Sequence, residues 1–88
     1  SYNEYYSMIN QSQLLDNTQN GQIVRNVAIK LINAVNDYLS QIGRLDYVED
    51  YYDWDFHLVN DPTVNAFCMP GGKIVMFSGI LSRYISSS

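Results

Sequence analysis

The side chains able to do chemistry are few. His57 is the one histidine and Cys68 the one cysteine. An imidazole can activate a thiol if the fold brings the two together. Nothing in the spacing supports that pairing, and a lone cysteine between Phe67 and Met69 behaves as a small apolar residue. One His and one Cys do not close a zinc site, so His57 reads as a packed or surface strand histidine. Asp53 and Asp55 share a strand face at i, i+2, but a carboxylate pair outside a cleft reads as solvated surface. Gly71-Gly72-Lys73 resembles part of a phosphate loop and fails the full pattern: Phe67 stands where the first Gly belongs and Ile74 where Ser or Thr belongs. Asp46, Glu49, Asp50 and Asp53, among Tyr47, Tyr51 and Tyr52, lack the alternating oxygen ligands and the Gly of a calcium loop. They read as a solvated acidic loop. No complete reaction is carried by these residues.

The chain that positions them is short. With 88 residues it is at most one small domain, marginal alone. Its formal charge is −4, without a Lys/Arg cluster, so it has no electrostatic footprint for nucleic acid or anionic lipid. No apolar run approaches the ~20 residues that span a bilayer, and no signal peptide is visible. The sequence begins at Ser1 without Met, consistent with a targeting segment lying outside it. A single cysteine forms no internal disulfide and does not fix the compartment. Asn10-Gln11-Ser12 matches a glycosylation triplet, in a helical setting poorly suited to one.

Tyr2, Tyr5/Tyr6 and Ile9 predict a short amphipathic helix over the first fifteen residues. Asp16, Asn17 and Thr18 are candidate N-caps for the helix that follows. There Val24, Ala28, Leu31, Val35, Tyr38 and Ile42 alternate spacings of four and three in one stripe. Ile29, Ile32 and Leu39 widen it on one side; Ile23, Val27 and Ala34 widen it on the other. So wide an apolar arc predicts cover on more than one side, and Gly43 is a natural stop. The stripe could suggest a coiled coil, but fewer than three heptads with no charged flanking pattern argue against one. Trp54–Val59 alternates as a half-buried strand, ended by Asn60-Asp61-Pro62. A strand beginning near Val64 and one over Ile74–Phe77 form a hairpin through Pro70-Gly71-Gly72. Gly79 breaks the last strand, and Ile80, Leu81, Tyr84 and Ile85 form a turn or short helix. Ser86-Ser87-Ser88 would cap a further helix. The expected fold is α+β: one long central helix and a shorter N-terminal helix on a small, mainly antiparallel three-stranded sheet.

Asn65-Ala66-Phe67, then Pro70-Gly71-Gly72-Lys73-Ile74-Val75, then Gly79-Ile80-Leu81 resembles the segment just ahead of the zinc helix in HtpX-like and Oma-type zinc metallopeptidases. That family includes the CAAX prenyl proteases. Upstream the likeness is one of pattern, a long helix followed by a Trp-x-Phe strand, and the whole runs from Asp16 to Leu81. It implies that residues 1–88 are a single partial domain, an incomplete zincin-like unit ending before a His-Glu-x-x-His helix. The implied parent hydrolyses peptide bonds with zinc-activated water. The implied roles within this chain are no catalytic residue, no metal ligand and no cofactor, so that the chain alone is inactive. By the same resemblance Asn65, Ala66, Phe67, Pro70, Gly71 and Gly72 line or brace a substrate cleft, where an extended protein or peptide substrate adds to a strand edge. The plainer alternative is that they only build a tight hairpin. An extracytoplasmic or membrane-associated setting is implied, with membrane contact made by segments outside this sequence. A second expectation is a non-catalytic module that binds extended peptides or itself, giving homo-oligomers through open strand edges and an over-apolar helix.

Overall fold

A computed structural model of the chain describes residues 1–49 and 53–85. Helix α1 spans Tyr2–Gln11, with Ser1 as N-cap accepting from the Glu4 N–H. Helix α2 spans Gln19–Gln41. Of the three candidate caps Thr18 serves, its Oγ1 accepting from the Gly21 N–H at 3.1 Å. Gly43, at φ +72°, ends the helix. Its N–H returns to the Ser40 carbonyl and that of Arg44 to Leu39. A single turn, α3 (Asp46–Glu49), follows. Asp50, Tyr51 and Tyr52 of the acidic loop, and Ser86-Ser87-Ser88, lie outside the described residues.

Strands β1 (Asp55–Val59), β2 (Ala66–Met69) and β3 (Lys73–Phe77) form one sheet in the order β1-β3-β2, and α4 (Gly79–Tyr84) closes the described chain. The hairpin is as expected: β2 pairs antiparallel with β3, Phe67 opposite Val75 and Met69 opposite Lys73. The sheet, however, is mixed rather than mainly antiparallel, because β1 pairs parallel with β3 from Asp55↔Lys73 to Val59↔Phe77. The connection from Asn60 to Asn65 is long enough to carry the chain over the end of β3, so the hairpin folds back and inserts β3 in the middle. That connection is pinned to the crossing point. Ser78 N–H donates to Val59 O at 2.9 Å, Gly79 N–H to Asp61 O at 2.9 Å, and Asp61 N–H to Ser78 Oγ at 3.1 Å. Asp61 also accepts from the Thr63 N–H at 2.8 Å, which holds its carboxyl below the usual value.

The two faces of the sheet are covered differently. Asp55, His57 and Val59 share a face with Lys73, Val75, Phe77, Phe67 and Met69 through the strand registers. Against it α1 sets Tyr5 and Ile9, which with Val59 and Val75 form the core, flanked by Met8, Phe67, Met69 and Phe77. Phe56 and Leu58 face the other way, and α2 lies along β1 with Ala28, Ile29 and Ile32 beside Trp54 and Phe56. Leu58 and Val75 are wholly buried, each contributing about 1.5–3 kcal/mol. The expected cover of α2 on more than one side is not seen among the described residues. Val24, Ala28, Ile32 and Leu39 are half-buried, whereas Ile23, Val27, Leu31, Val35, Tyr38 and Ile42 are exposed. One sheet can shield only one flank of an arc that wide.

Candidate functional site

The two edges of the sheet differ. The outer side of β1 is covered by residues 13–15: Leu15 N–H donates to Leu58 O at 2.7 Å and Asn60 N–H to Gln13 O at 2.8 Å, around a Leu14–Val59 bridge. The outer side of β2 pairs with no strand among the described residues. Phe77 N–H donates to Asn65 O at 3.0 Å, and an antiparallel ladder alternates residues that face the partner with residues that face away. Asn65, Phe67 and Met69 therefore turn their backbone groups toward β3, and Ala66 and Cys68 turn theirs outward. Asn65, Ala66 and Cys68 are exposed; Phe67 is half-buried, its ring edge-on to Phe77 at 6.0 Å.

The turn at the end of this edge is held from three sides. Gly71 and Gly72 take φ +93° and +85°, values that L side chains rarely adopt. The Gly71 and Gly72 carbonyls accept from the N–H groups of Asp53 (2.8 Å) and Asp55 (3.1 Å), which fixes the start of β1. The Tyr2 hydroxyl donates to the Pro70 carbonyl at 2.8 Å, and a Cβ on Gly71 would collide with that hydroxyl. Pro70, Gly71 and Gly72 thus brace the hairpin against α1 and β1 as well as closing it.

Behind the edge, on the α1 face, lies a polar layer. His57 Nδ1 is 2.7 Å from Asp16 Oδ2 and its Nε2 is 3.1 Å from Asp55 Oδ2. The Tyr5 hydroxyl donates to the same Asp55 oxygen at 2.9 Å, and Asp16 Oδ1 accepts from the buried Leu58 N–H at 2.8 Å. Burial first, then the bond to Asp55, push the Tyr5 hydroxyl well above the ordinary phenol value. Lys73 is buried, with Nζ donating to Asp53 O at 2.8 Å and lying 3.3 Å from Asp53 Oδ2. Burial pulls its ammonium down, but Asp53, with Tyr6 and Asp55, holds it above its usual value.

This layer ties elements together and leaves no reactive group free. His57 and Cys68 lie on opposite faces of the sheet, since Cys68 registers with Ile74 and His57 with Val75. Lys73 is committed to Asp53 and does not offer itself to a phosphate. Asp53 is paired with the Lys73 ammonium, and Asp55 accepts from the Tyr5 hydroxyl and lies against the His57 ring. Among the described residues no group of three or more His, Cys, Asp or Glu could hold a metal. Both nitrogens of His57 are occupied by carboxylates, so the donor set present does not fit zinc. The partners of His57 escaped sequence reasoning because Asp16 stands 41 positions away. Only the shared face of Asp55 and His57 was visible, in the strand alternation.

Comparison with known proteins adds a family. Residues 30–87 match the model of peptidase family M48. Among curated proteins, the chain is 39% identical over 61 residues to the mitochondrial metalloendopeptidase OMA1 of Saccharomyces cerevisiae, covering 66% of this chain and 16% of that protein. It is 51% identical over 35 residues to the Arabidopsis thaliana protein of the same name, covering 40% of this chain and 7% of that one. A Schizosaccharomyces pombe counterpart is 57% identical over 28 residues, covering 32% of this chain and 8% of that protein. The chain thus spans about a sixth or less of these relatives' length. No solved structure matches it. Among the described residues no helix is long and apolar enough to cross a membrane.

Proposed function

From the premise that the chain belongs to peptidase family M48, we propose that it is the substrate-edge portion of a metalloendopeptidase, with β2 as the strand on which an extended peptide docks. The observation that carries this reading is the open outer side of β2, where Ala66 and Cys68 present backbone donors and acceptors beside a turn braced from three sides. An extended segment laid along it gains backbone hydrogen bonds without demanding particular side chains. Each such bond is worth about 1 kcal/mol net. The turn residues Pro70, Gly71 and Gly72 keep the edge from yielding as the peptide is pulled into register. Zinc bound elsewhere in the parent protein supplies the activated water that cleaves the peptide bond. The residues described here bind and orient, and none of them takes part in proton transfer.

The test is made in the parent protein, on an unstructured peptide substrate whose cleavage a chelator abolishes. Cys68→Pro removes one outward N–H while leaving the ladder to β3 intact, and is expected to lower kcat/KM by about tenfold. An unchanged kcat/KM refutes β2 as the docking edge. The 88-residue chain alone is expected to cleave nothing; chelator-sensitive proteolysis by it alone overturns the assignment of its residues to binding.

A second reading, a non-catalytic module that binds extended peptides or itself, is favoured by one observation: the uncovered apolar line on α2.

A further inference from the structure

Strand β2 is held differently at its two ends. Its start is fixed by the Phe77 N–H on Asn65 O at 3.0 Å. Its end runs into Pro70, Gly71 and Gly72, where the turn's own closing bond is long, 3.3 Å from the Gly72 N–H to Met69 O. Two successive glycines leave a turn free to move unless outside groups hold it. The bonds from Asp53 and Asp55 take the Gly71 and Gly72 carbonyls, in the half of the turn that leads into β3. Pro70 directly follows β2. It has no N–H, so its carbonyl is its one backbone polar group, and that carbonyl accepts from the Tyr2 hydroxyl at 2.8 Å. Among the described residues no other hydrogen bond falls on Pro70. Tyr2 is itself well placed to hold it. Tyr2, Tyr5 and Ile9 share one side of α1 at spacings of three and four. Tyr5 and Ile9 are buried against the sheet, and the Tyr5 hydroxyl is bonded to Asp55. They seat the helix, which sets its first residue over the turn. The Tyr2 ring is 49% exposed, so its hydroxyl bond, more than burial, ties it there. Helix α1 lies ahead of residues 30–87, the stretch that matches the family model.

We propose that Tyr2 is a positioning residue for the substrate edge: by holding the Pro70 carbonyl it fixes the end of β2 in the line that an extended peptide needs. This assignment rests on β2 being the docking strand. A peptide laid along that strand bonds to the outward groups of Ala66 and Cys68, and Cys68 is two residues from Pro70. A swing at Pro70 moves the Cys68 carbonyl and N–H out of register. A loose strand end must then be ordered by the incoming peptide, and that cost comes out of its affinity. With Tyr2 in place the end is ordered before the peptide arrives. Tyr2 touches neither peptide nor zinc-bound water and acts through Pro70, so its effect falls equally on the bound ground state and the transition state. Such an effect appears in KM and leaves kcat alone. Pro70 is exposed, so water can take the place of the hydroxyl on its carbonyl, and losing that hydroxyl leaves the fold stable.

The experiment compares Tyr2→Phe with wild type in the parent protein, on the same unstructured peptide substrate, with Cys68→Pro as the reference. Tyr2→Phe is expected to raise KM by about fivefold, to leave kcat within about twofold and to leave the thermal midpoint unchanged. Gly71→Ala drives a methyl group against the Tyr2 hydroxyl and is expected to raise KM as well. In the double variant Tyr2→Phe/Gly71→Ala the rise is expected to be smaller than the product of the two single effects, because both act through one contact. In hydrogen exchange Tyr2→Phe is expected to speed the Gly72 amide and to leave the amides of α1 and β1 as they were. A fall in kcat at unchanged KM, KM effects that simply multiply, or faster exchange throughout α1 and β1, the sign that the helix has come away, overturns the proposal. If Cys68→Pro lowers kcat/KM while Tyr2→Phe keeps the wild-type KM, Tyr2 is no positioning residue and β2 still stands as the docking edge. If Cys68→Pro leaves kcat/KM unchanged, β2 is not that edge and the role of Tyr2 falls with it.

Discussion

Asp16 and His57 meet at 2.7 Å between Oδ2 and Nδ1, joining the α1–α2 connection to the middle of β1 across 41 positions. The other Asp16 oxygen accepts from the N–H of Leu58, a residue with no exposed surface. One carboxylate therefore satisfies two groups that water reaches poorly. The second ring nitrogen of His57 lies 3.1 Å from Asp55 Oδ2. Asp16→Ala is expected to cost about 1–3 kcal/mol, because it leaves the Leu58 N–H without an acceptor. Asp16→Asn keeps an acceptor for Leu58 and loses only the charge facing His57, so its cost should be smaller. Urea unfolding measures both, and equal losses for the two variants would contradict this account.

Two glycines separate backbone strain from collision. Gly43 sits at φ +72° with nothing within 4 Å of an added Cβ, so Gly43→Ala carries the cost of the dihedral alone, about 1 kcal/mol. Gly71, at φ +93°, adds a collision with the Tyr2 hydroxyl. Gly71→Ala should therefore be worse than Gly43→Ala by about 1–2 kcal/mol. In a Tyr2→Ala background that excess should largely vanish. A double-mutant cycle reads the coupling, and strictly additive losses would mean that Tyr2 does not press on the turn.

Tyr5 gives the fold an alkaline limit. Burial and the bond to Asp55 raise its hydroxyl above the ordinary value of 10.0. The folded chain thus holds this proton more tightly than the unfolded chain does. Its contribution to stability is complete below about pH 10 and is lost as pH climbs beyond that value. The stability difference between wild type and Tyr5→Phe should accordingly shrink between about pH 8 and about pH 11. Urea melts across that range test it, and a constant difference would place the Tyr5 contribution outside proton linkage.

What the sequence made legible, it did through local chemistry. Thr18 and Gly43 bound α2 because capping and positive φ act within a turn of the helix end. Pro70-Gly71-Gly72 gave the hairpin, and alternation placed Asp55 and His57 on one face of β1. The misses are long-range. Adjacent strands in sequence suggest adjacent strands in the sheet, but β3 inserts between β1 and β2 because the connection over residues 60–65 bonds to Ser78 and Gly79. No spacing rule reports that Asp16 reaches His57, or that Tyr2 reaches Pro70. On α2 the apolar arc was visible, but not which flank the sheet would take. An arc that wide accepts several rotations, and packing on β1 selected the one that half-buries Ile32 and Leu39 and leaves Leu31 and Tyr38 exposed.

The orientation of backbone groups along β2 can be tested without any substrate. If Asn65, Phe67 and Met69 face β3, the amides of Phe67 and Met69 are protected by the ladder, and those of Ala66 and Cys68 are open to water. In hydrogen exchange followed by NMR, Phe67 and Met69 should exchange at least about tenfold more slowly than Ala66 and Cys68. Proline reports the same alternation through stability. Phe67→Pro removes a ladder donor to Val75 and should cost about 1–3 kcal/mol, whereas Cys68→Pro loses an amide that bonds to no described strand and should cost much less. An extended peptide docked on the edge should then slow exchange at Ala66 and Cys68 and leave Phe67 unchanged. Protection at Ala66 and Cys68 in the free chain would mean that the ladder phase is shifted by one residue. The edge would then offer Phe67 and Met69 instead, and Cys68→Pro would be the costly substitution.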